Sequence, residues 1–500
     1  MQNETIPNLL IKRALLTPNR IAIYFQDQTV TFYDLYERSL KVSGKLQALG
    51  IREGQFVGVL LKNHLDTVTI LFALQLLGAR AVILNNRLTA AELIFQLKDS
   101  KSAFLILENS FVETERVIHQ QIGHLMTITK TQLAQIEPEE PYIQEEISLN
   151  DICTIMYTSG TTGNPKGVIQ TYGNHWWSST GSALNLGTME TDCWLCTVPL
   201  FHISGFSILM RSVIYGMPIV LHEHFDVEQT IKDIQLKKVT IMSVVGTMLT
   251  QIVEKLEDRR LPDSFRCMLL GGGPAPLPLL EACVVKEIPV FQSYGMTETS
   301  SQIVTLSPED SLQKLGSAGK PLFPSQLRIE LENGETARAG MHGEIVVKGP
   351  NVTPGYLNRP EASEEKIRKG WFYTGDIGYV DEQGFLYVKD RRSDLIISGG
   401  ENIYPAEIEA VLLAHPDIID AGVTGIEDKK WGQVPVAFIV SKQGIDLSSE
   451  EIQQFCMERL AKYKVPKAVY FTEQLPRNAA KKLLRRKLMR VGVGDENRPG

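Results

Sequence analysis

Between Tyr157 and Gly167 the chain reads Tyr-Thr-Ser-Gly-Thr-Thr-Gly-Asn-Pro-Lys-Gly, directly after the strand-like run ICTIMY. Gly160 and Gly163 let backbone N–H groups approach a polyphosphate closely. Thr158, Ser159, Thr161 and Thr162 add hydroxyl donors, and Lys166 adds a mobile positive charge. This is not a Walker A loop, because Lys166 is followed by Gly167 where a magnesium-holding Ser or Thr would stand. A plain Gly/Ser linker is the bland alternative, but linkers lack the preceding strand and the Pro-Lys order. A second segment, Phe291 to Glu298 (FQSYGMTE), puts a hydroxyl and a carboxylate together at a turn after the strand-like IPVF. Magnesium takes hard oxygen ligands and phosphate takes hydroxyl donors, although a capped turn accounts for these residues equally well. A third, Gly370 to Asp376 (GWFYTGD), is followed by Asp390-Arg391. A carboxylate suits a ribose diol and an arginine suits ribose or phosphate; a surface ion pair is the alternative. The fourth, Ser398 to Glu409, is a glycine loop, Gly399-Gly400, entering a helix through Pro405.

These residues need a scaffold, and 500 residues exceed what one hydrophobic core usually serves. Segments of helical period alternate with short β-branched apolar runs, the pattern of α/β layers. Thr31 and Asp34 can cap a helix that Gly50 ends, FVGVLL reads as a buried strand, and Thr89 with Glu92 forms a second capping box. The stretch TVTILFALQLLGARAVIL is interrupted by Gln75, Gly78 and Arg80, so it predicts a buried helix leading into a strand instead of a membrane span. The pattern restarts after FLYVKDRRSD, which sets an expected boundary between residues 1–391 and 392–500. A net charge of -7 offers no attraction to nucleic acid or an anionic membrane. The polar start MQNETIPNLL and six cysteines without a disulfide-scaffold pattern make the cytoplasm the expected location. Cys193 and Cys196 have CxxC spacing but no companion ligand pair in the sequence, so buried apolar thiols are expected.

The four segments, in this order and over nearly the whole chain, resemble the adenylate-forming superfamily of acyl-CoA synthetases, beetle luciferases and peptide-synthetase adenylation domains. The resemblance implies the α/β acyl-CoA synthetase/luciferase-like fold, with a large multi-sheet N-terminal domain that binds ATP and acid and a small mobile α+β C-terminal domain. It places Thr158, Ser159, Gly160, Thr161, Thr162, Gly163 and Lys166 at the pyrophosphate end of ATP, and Thr297 and Glu298 at the α-phosphate, with Glu298 on magnesium. Gly271, Gly272, Gly273, Ser293 and Tyr294 match the adenine pocket, Asp376 and Arg391 the ribose contacts, and Gly399-Gly400 the loop presented for thioester formation. The superfamily's catalytic lysine falls on Lys482, where Lys481 replaces the usual preceding glycine, so that assignment rests on register; a solvated basic helix is the alternative. At the hinge Ser393 stands two residues beyond Arg391, where relatives often carry Asp or Lys, and rotation is expected about Arg392 and Ser393.

The implied chemistry is attack of a carboxylate on the α-phosphorus of magnesium-ATP, loss of pyrophosphate, and transfer of the acyl group to coenzyme A. Lys429, Lys430, Lys462 and Lys464 are candidate partners of the coenzyme's anionic nucleotide end, with surface solvation as the alternative. The segments PLFHISG, LLGGGPAPLPLLE, FQSYGMTET and KLGSAGKPLF are most similar to the branch that activates o-succinylbenzoate for menaquinone synthesis. That acid keeps a second, ring-bound carboxylate, and His202, Ser204 and Gln302 are the candidates to satisfy it, with a core histidine as the bland reading of His202. An aryl- or fatty-acyl-CoA ligase and a non-catalytic nucleotide- or acyl-binding member are the alternatives, and homo-oligomerisation is left open.

Overall fold

The computed structural model describes residues 4–158, 165–272, 275–390, 395–442, 444–476, 483 and 485–490. They fall into two compact units, one within 1–86, 97–157 and 167–389, the other within 87–96, 158–166 and 390–500.

Runs such as Phe104–Leu107 (FLIL), buried at all four positions, have no polar face to turn to water and so form parallel strands covered on both sides. One six-stranded sheet has the order Lys166–Thr171, Ile152–Thr158, Arg80–Ile83, Phe56–Leu60, Phe104–Leu107, Met126–Thr129. The helix Leu65–Leu76 that precedes Arg80–Ile83 is buried along nearly its whole length, as its unbroken apolar sequence predicts. The expected capping box closes the helix Phe32–Ala48 through Thr31 and Asp34.

A nine-stranded sheet runs Lys320–Pro321, Ser301–Leu306, Val290–Met296, Cys267–Gly271, Ile241–Val245, Trp194–Cys196, Ile219–Leu221, Ile21–Phe25, Gln28–Thr31. Its centre is parallel, but Ser301–Leu306 turns back antiparallel to Val290–Met296, with a register shift between Tyr294 and Gly295. Such bulges re-aim side chains. The strand thus extends past the IPVF run to Met296, and the turn carrying Glu298 is a short 3-10 segment, Thr297–Thr299. An antiparallel sheet of five strands carries Trp371–Val380 and, with it, Asp376.

In the second unit a long antiparallel pair, Ile418–Asp428 and Gly432–Ser441, packs with the helices Pro405–Leu413 and Ser449–Met457 around Ile408, Leu412, Val423, Ile439 and Ile452. Gly399 and Gly400 make a two-residue turn between the paired strands Ile396–Ser398 and Glu401–Ile403, a short pairing that the sequence pattern did not predict, and the helix begins at Pro405 as expected. Gly399 has φ +57°, and a Cβ there would sit 2.8 Å from the Trp431 ring, so glycine is required on both counts. Among the described residues no helix is long and apolar enough to cross a membrane.

Candidate active site

Thr158 ends the strand Ile152–Thr158 and Lys166 opens the strand Lys166–Thr171; Ser159, Gly160, Thr161, Thr162 and Gly163 between them lie outside the described residues. The loop's entry is anchored. The Tyr157 hydroxyl donates to Asp99 Oδ2 at 2.8 Å, and Arg359 bonds Asp99 Oδ1. Burial, reinforced by the neighbouring carboxylate, pushes the Tyr157 phenol well above its ordinary value.

Glu298 is buried in the turn Thr297–Thr299, and its Oε1 accepts a 2.9 Å hydrogen bond from the Tyr356 hydroxyl. Thr297 is held through its carbonyl, which accepts from Gln170 Nε2 at 3.0 Å, so the strand leaving the phosphate loop is tied to the acidic turn. Ser300 and Ser301 follow with φ of +53° and +107°. Positive φ outside glycine costs free energy and tends to mark functional sites.

Gly271 ends the strand Cys267–Gly271, and Gly272 takes φ +91°; Gly273 lies outside the described residues. Ser293 Oγ donates to the Leu270 carbonyl at 3.0 Å, and a Cβ on Gly271 would lie 3.6 Å from Ser293 Oγ. Beside them the Tyr294 hydroxyl donates to Asp376 Oδ2 at 2.7 Å. Residues 82 apart in sequence, expected at adenine and ribose, are therefore in direct contact. Arg391 lies outside the described residues, as do Arg392, Ser393, Lys481 and Lys482.

On the acyl side His202 precedes the helix Ile203–Tyr215, its ring 4.7 Å from that of Phe201, and Ser204 is exposed in the first turn. Gln302 is buried in the strand Ser301–Leu306, and neither amide atom has a hydrogen-bond partner among the described residues. Sequence reasoning missed Arg211. It is 1% exposed, its guanidinium lies 5.1 Å over the Trp194 ring, and Nη2 donates to Ser301 Oγ at 3.3 Å. Nε has no partner, and no carboxylate pairs with Arg211, among the described residues. Burial draws this guanidinium below its ordinary pKa. Nearby, burial, with a smaller contribution from the Arg211 charge, holds the His175 imidazole down to about 3, so it is neutral and adds no second cation. The readable signal was a single charged residue in an otherwise uncharged helix, ISGFSILMRSVIY.

Two expectations are settled by burial. Lys464 does not offer its ammonium to a coenzyme: it is buried, and Nζ pairs with Glu92 at 2.6 Å and Glu407 at 2.7 Å. Lys429, Lys430 and Lys462 are exposed. Cys193 and Cys196 are buried, with thiols pushed up to about 12, chiefly by desolvation, which describes apolar packing.

The described geometry has counterparts in known proteins. The family described as AMP-binding enzyme matches residues 10–357, and the AMP-binding enzyme C-terminal domain matches residues 407–482. A 2-succinylbenzoate–CoA ligase of Geobacillus sp. (strain WCH70) is 56% identical over 493 residues, 99% of each chain. The o-succinylbenzoate CoA synthetase of Bacillus subtilis has been solved in several complexes, at 52% identity. A doubly substituted form bound with its product analogue OSB-NCoA superposes with a TM-score of 0.93, over 98% of this chain and 99% of that one. The complex with the acyl-adenylate intermediate OSB-AMP gives 0.77 over 99% of both, and the complex with ATP and a magnesium ion 0.76 over 97% and 100%.

Proposed function

The chain belongs to the AMP-binding enzyme family and has the adenylate-forming fold, and on that premise we propose that it ligates o-succinylbenzoate to coenzyme A through an acyl-adenylate, releasing pyrophosphate and then AMP. The observation that carries the choice of acid is Arg211. A buried guanidinium with an unmatched N–H and no carboxylate partner among the described residues is a costly arrangement unless an anion completes it. The ring carboxylate of o-succinylbenzoate is such an anion, and a fatty acid or benzoate has none to spare once its own carboxylate reacts. The Ser301 hydroxyl accepts from Arg211 and stands beside the same position, His202 and Ser204 lie at the start of the Arg211 helix, and the Gln302 amide, unpaired among the described residues, follows Ser301 on its strand.

The reacting succinyl carboxylate attacks the α-phosphorus, the bond to the bridging oxygen breaks, and pyrophosphate leaves. Thr158, Lys166 and the loop between them hold the departing phosphates, Gly271 to Gly273 with Ser293 and Tyr294 flank the base, and Asp376 with Arg391 takes the ribose. Glu298 suits magnesium: Oε1 is fixed by Tyr356, and among the described residues Oε2 has no hydrogen bond. A magnesium ion held there supplies charge neutralisation for the triphosphate. Lys482 offsets the charge that develops as the carboxylate attacks. In the second half-reaction the coenzyme A thiol, on losing its proton, attacks the acyl carbonyl and AMP departs. The division at residues 391 and 392, with the smaller part rotating to bring Gly399 and Gly400 to the acyl group, belongs to this proposal, as does a cytoplasmic location.

The test is thioester formation by the purified protein with ATP and magnesium, comparing o-succinylbenzoate with benzoate, a medium-chain fatty acid and amino acids. Strong preference for o-succinylbenzoate is the expected result. Preference for a monocarboxylic acid refutes the assignment of the acid while leaving the ligase chemistry, and tight ATP binding without turnover on any acid refutes both.

A further inference from the structure

Glu298 does not stand alone on its turn. The segment Asn351–Tyr356 lies beneath Thr297–Thr299 and touches it three times: Asn351 Nδ2 donates to the Thr299 carbonyl at 3.0 Å, the Thr353 amide to the Glu298 carbonyl at 2.8 Å, and the Tyr356 hydroxyl to Glu298 Oε1 at 2.9 Å. The same segment is sewn to the strand that leaves the phosphate loop. Thr353 Oγ1 donates to the Ile169 carbonyl at 2.6 Å, the Ile169 amide to the Gly355 carbonyl at 3.1 Å, and the Leu357 amide to the Gly167 carbonyl at 2.8 Å. Asn174 Nδ2 adds 2.9 Å bonds to the carbonyls of Pro350 and Val352. Every one of these bonds lies within the first unit.

Such a brace matters because a glutamate carboxylate has three side-chain torsions beyond its backbone, and a ligand of magnesium must meet nearly ideal octahedral geometry. The backbone contacts fix the Cα of Glu298 relative to the loop exit, but among the described residues only the Tyr356 phenol hydrogen-bonds the carboxylate. Tyr356 is itself 5% exposed and its backbone forms the bridge to Val168, so its hydroxyl cannot follow a wandering side chain. The left-handed Ser300 and Ser301 immediately downstream show that the turn holds an unfavourable backbone, which persists only where surrounding contacts over-determine it.

We propose that Tyr356 is the positioning residue for the magnesium-binding carboxylate, holding Glu298 Oε1 so that Oε2 is presented to the metal at a fixed place relative to Gly167 and Ile169. The inference rests on the ligase reading for the role of Glu298, and it assigns Tyr356 no contact with substrate.

The test is Tyr356→Phe, which removes one oxygen and keeps the ring. Divalent-cation binding is read directly, by electron paramagnetic resonance of Mn2+ in the presence of a non-hydrolysable ATP analogue, beside the Mg2+ dependence of acyl-adenylate formation. Loss of one charge-assisted hydrogen bond predicts about tenfold weaker Mn2+ binding, a matching rise in the Mg2+ needed for half-maximal adenylation, and an unchanged rate of thioester formation from supplied acyl-adenylate. Unchanged cation binding, or equal losses in both half-reactions, overturns the proposal. If Tyr356→Phe does not fold, 3-fluorotyrosine installed at 356 keeps the hydroxyl and makes it a stronger donor; cation affinity must then move, and constancy overturns the idea. Wild-type turnover on o-succinylbenzoate, measured alongside, separates failure of this inference from failure of the functional assignment.

Discussion

Replacing Arg211 by methionine removes the guanidinium and leaves a side chain of similar length against the Trp194 ring. The folded protein loses little by this. Arg211 donates one long hydrogen bond to Ser301, has the Tyr215 hydroxyl as a further side-chain partner, and makes no ion pair among the described residues, and exchanging a buried charge for a well-packed apolar group is often neutral or stabilising. The bound acid loses a great deal, because its ring carboxylate would enter the same buried position with no cation. Truncating one side of a buried charge-assisted contact costs about 3 kcal/mol, which is roughly 150-fold in kcat/KM. The assay is a two-by-two comparison of wild type and Arg211→Met on o-succinylbenzoate and on 4-oxo-4-phenylbutanoate, the same acid without its ring carboxylate. Loss is expected on the first acid alone, so the preference between the two acids shrinks by about the same 150-fold in the variant. Arg211→Lys, which keeps a charge but not the planar fork, should recover part of the difference. Equal losses on both acids would show that Arg211 serves the scaffold, and the reasoning that links it to the substrate would be wrong.

Three other outcomes follow from the same coordinates. With its imidazole held down to about 3 in the folded state against an ordinary 6.5, His175 stays neutral while the unfolded chain takes up a proton, so its stability contribution is complete above pH 6.5 and declines as the pH falls toward 3. Between pH 6.5 and 5 that amounts to about 2 kcal/mol, and His175→Gln should flatten the fall in urea midpoint between pH 7 and 5; an unchanged slope would sink the idea. Lys464→Met strands the Glu92 and Glu407 carboxylates in the interior and should cost about 3–5 kcal/mol at pH 7 in urea unfolding, and less at pH 5, since burial already raises the pKa of Glu407. Lys482→Ala should abolish adenylate formation while sparing thioester formation from supplied acyl-adenylate; that split appearing in Lys481→Ala instead would shift the register by one.

Much of this was legible because local patterns decide it. The helix Leu65–Leu76 and the strand Arg80–Ile83 follow from one apolar run broken at Gly78, and the cap at Thr31 is a three-residue signal. Tyr294 and Asp376 were each identifiable from their own segments, yet their 2.7 Å contact depends on how two sheets meet. The Gly399-Gly400 connection and the helix start at Pro405 were legible, but the flanking strand pair was not, because strands of three residues are too short to show alternation. Tyr356 escaped notice for a related reason. Its partner is 58 residues away and its own segment, NVTPGY, carries no charged residue to draw attention.

Arg211 and Lys464 show what sequence withholds and why it matters for function. Lysines in the run KYK read as solvent-facing charges, while an arginine in an apolar helix reads as an anomaly, but neither context says whether a counter-charge is present. For Lys464 the answer lies 372 residues away at Glu92, and the cation is spent on structure. For Arg211 the described structure holds no carboxylate at all. Two buried cations of similar accessibility therefore have opposite meanings: one is matched by the fold, and the other is matched only when a ligand brings an anion. The same substitution, to methionine, should destabilise the protein at Lys464 and spare it at Arg211, while substrate selection should be lost at Arg211, because the missing partner in the one case is protein and in the other is the acid.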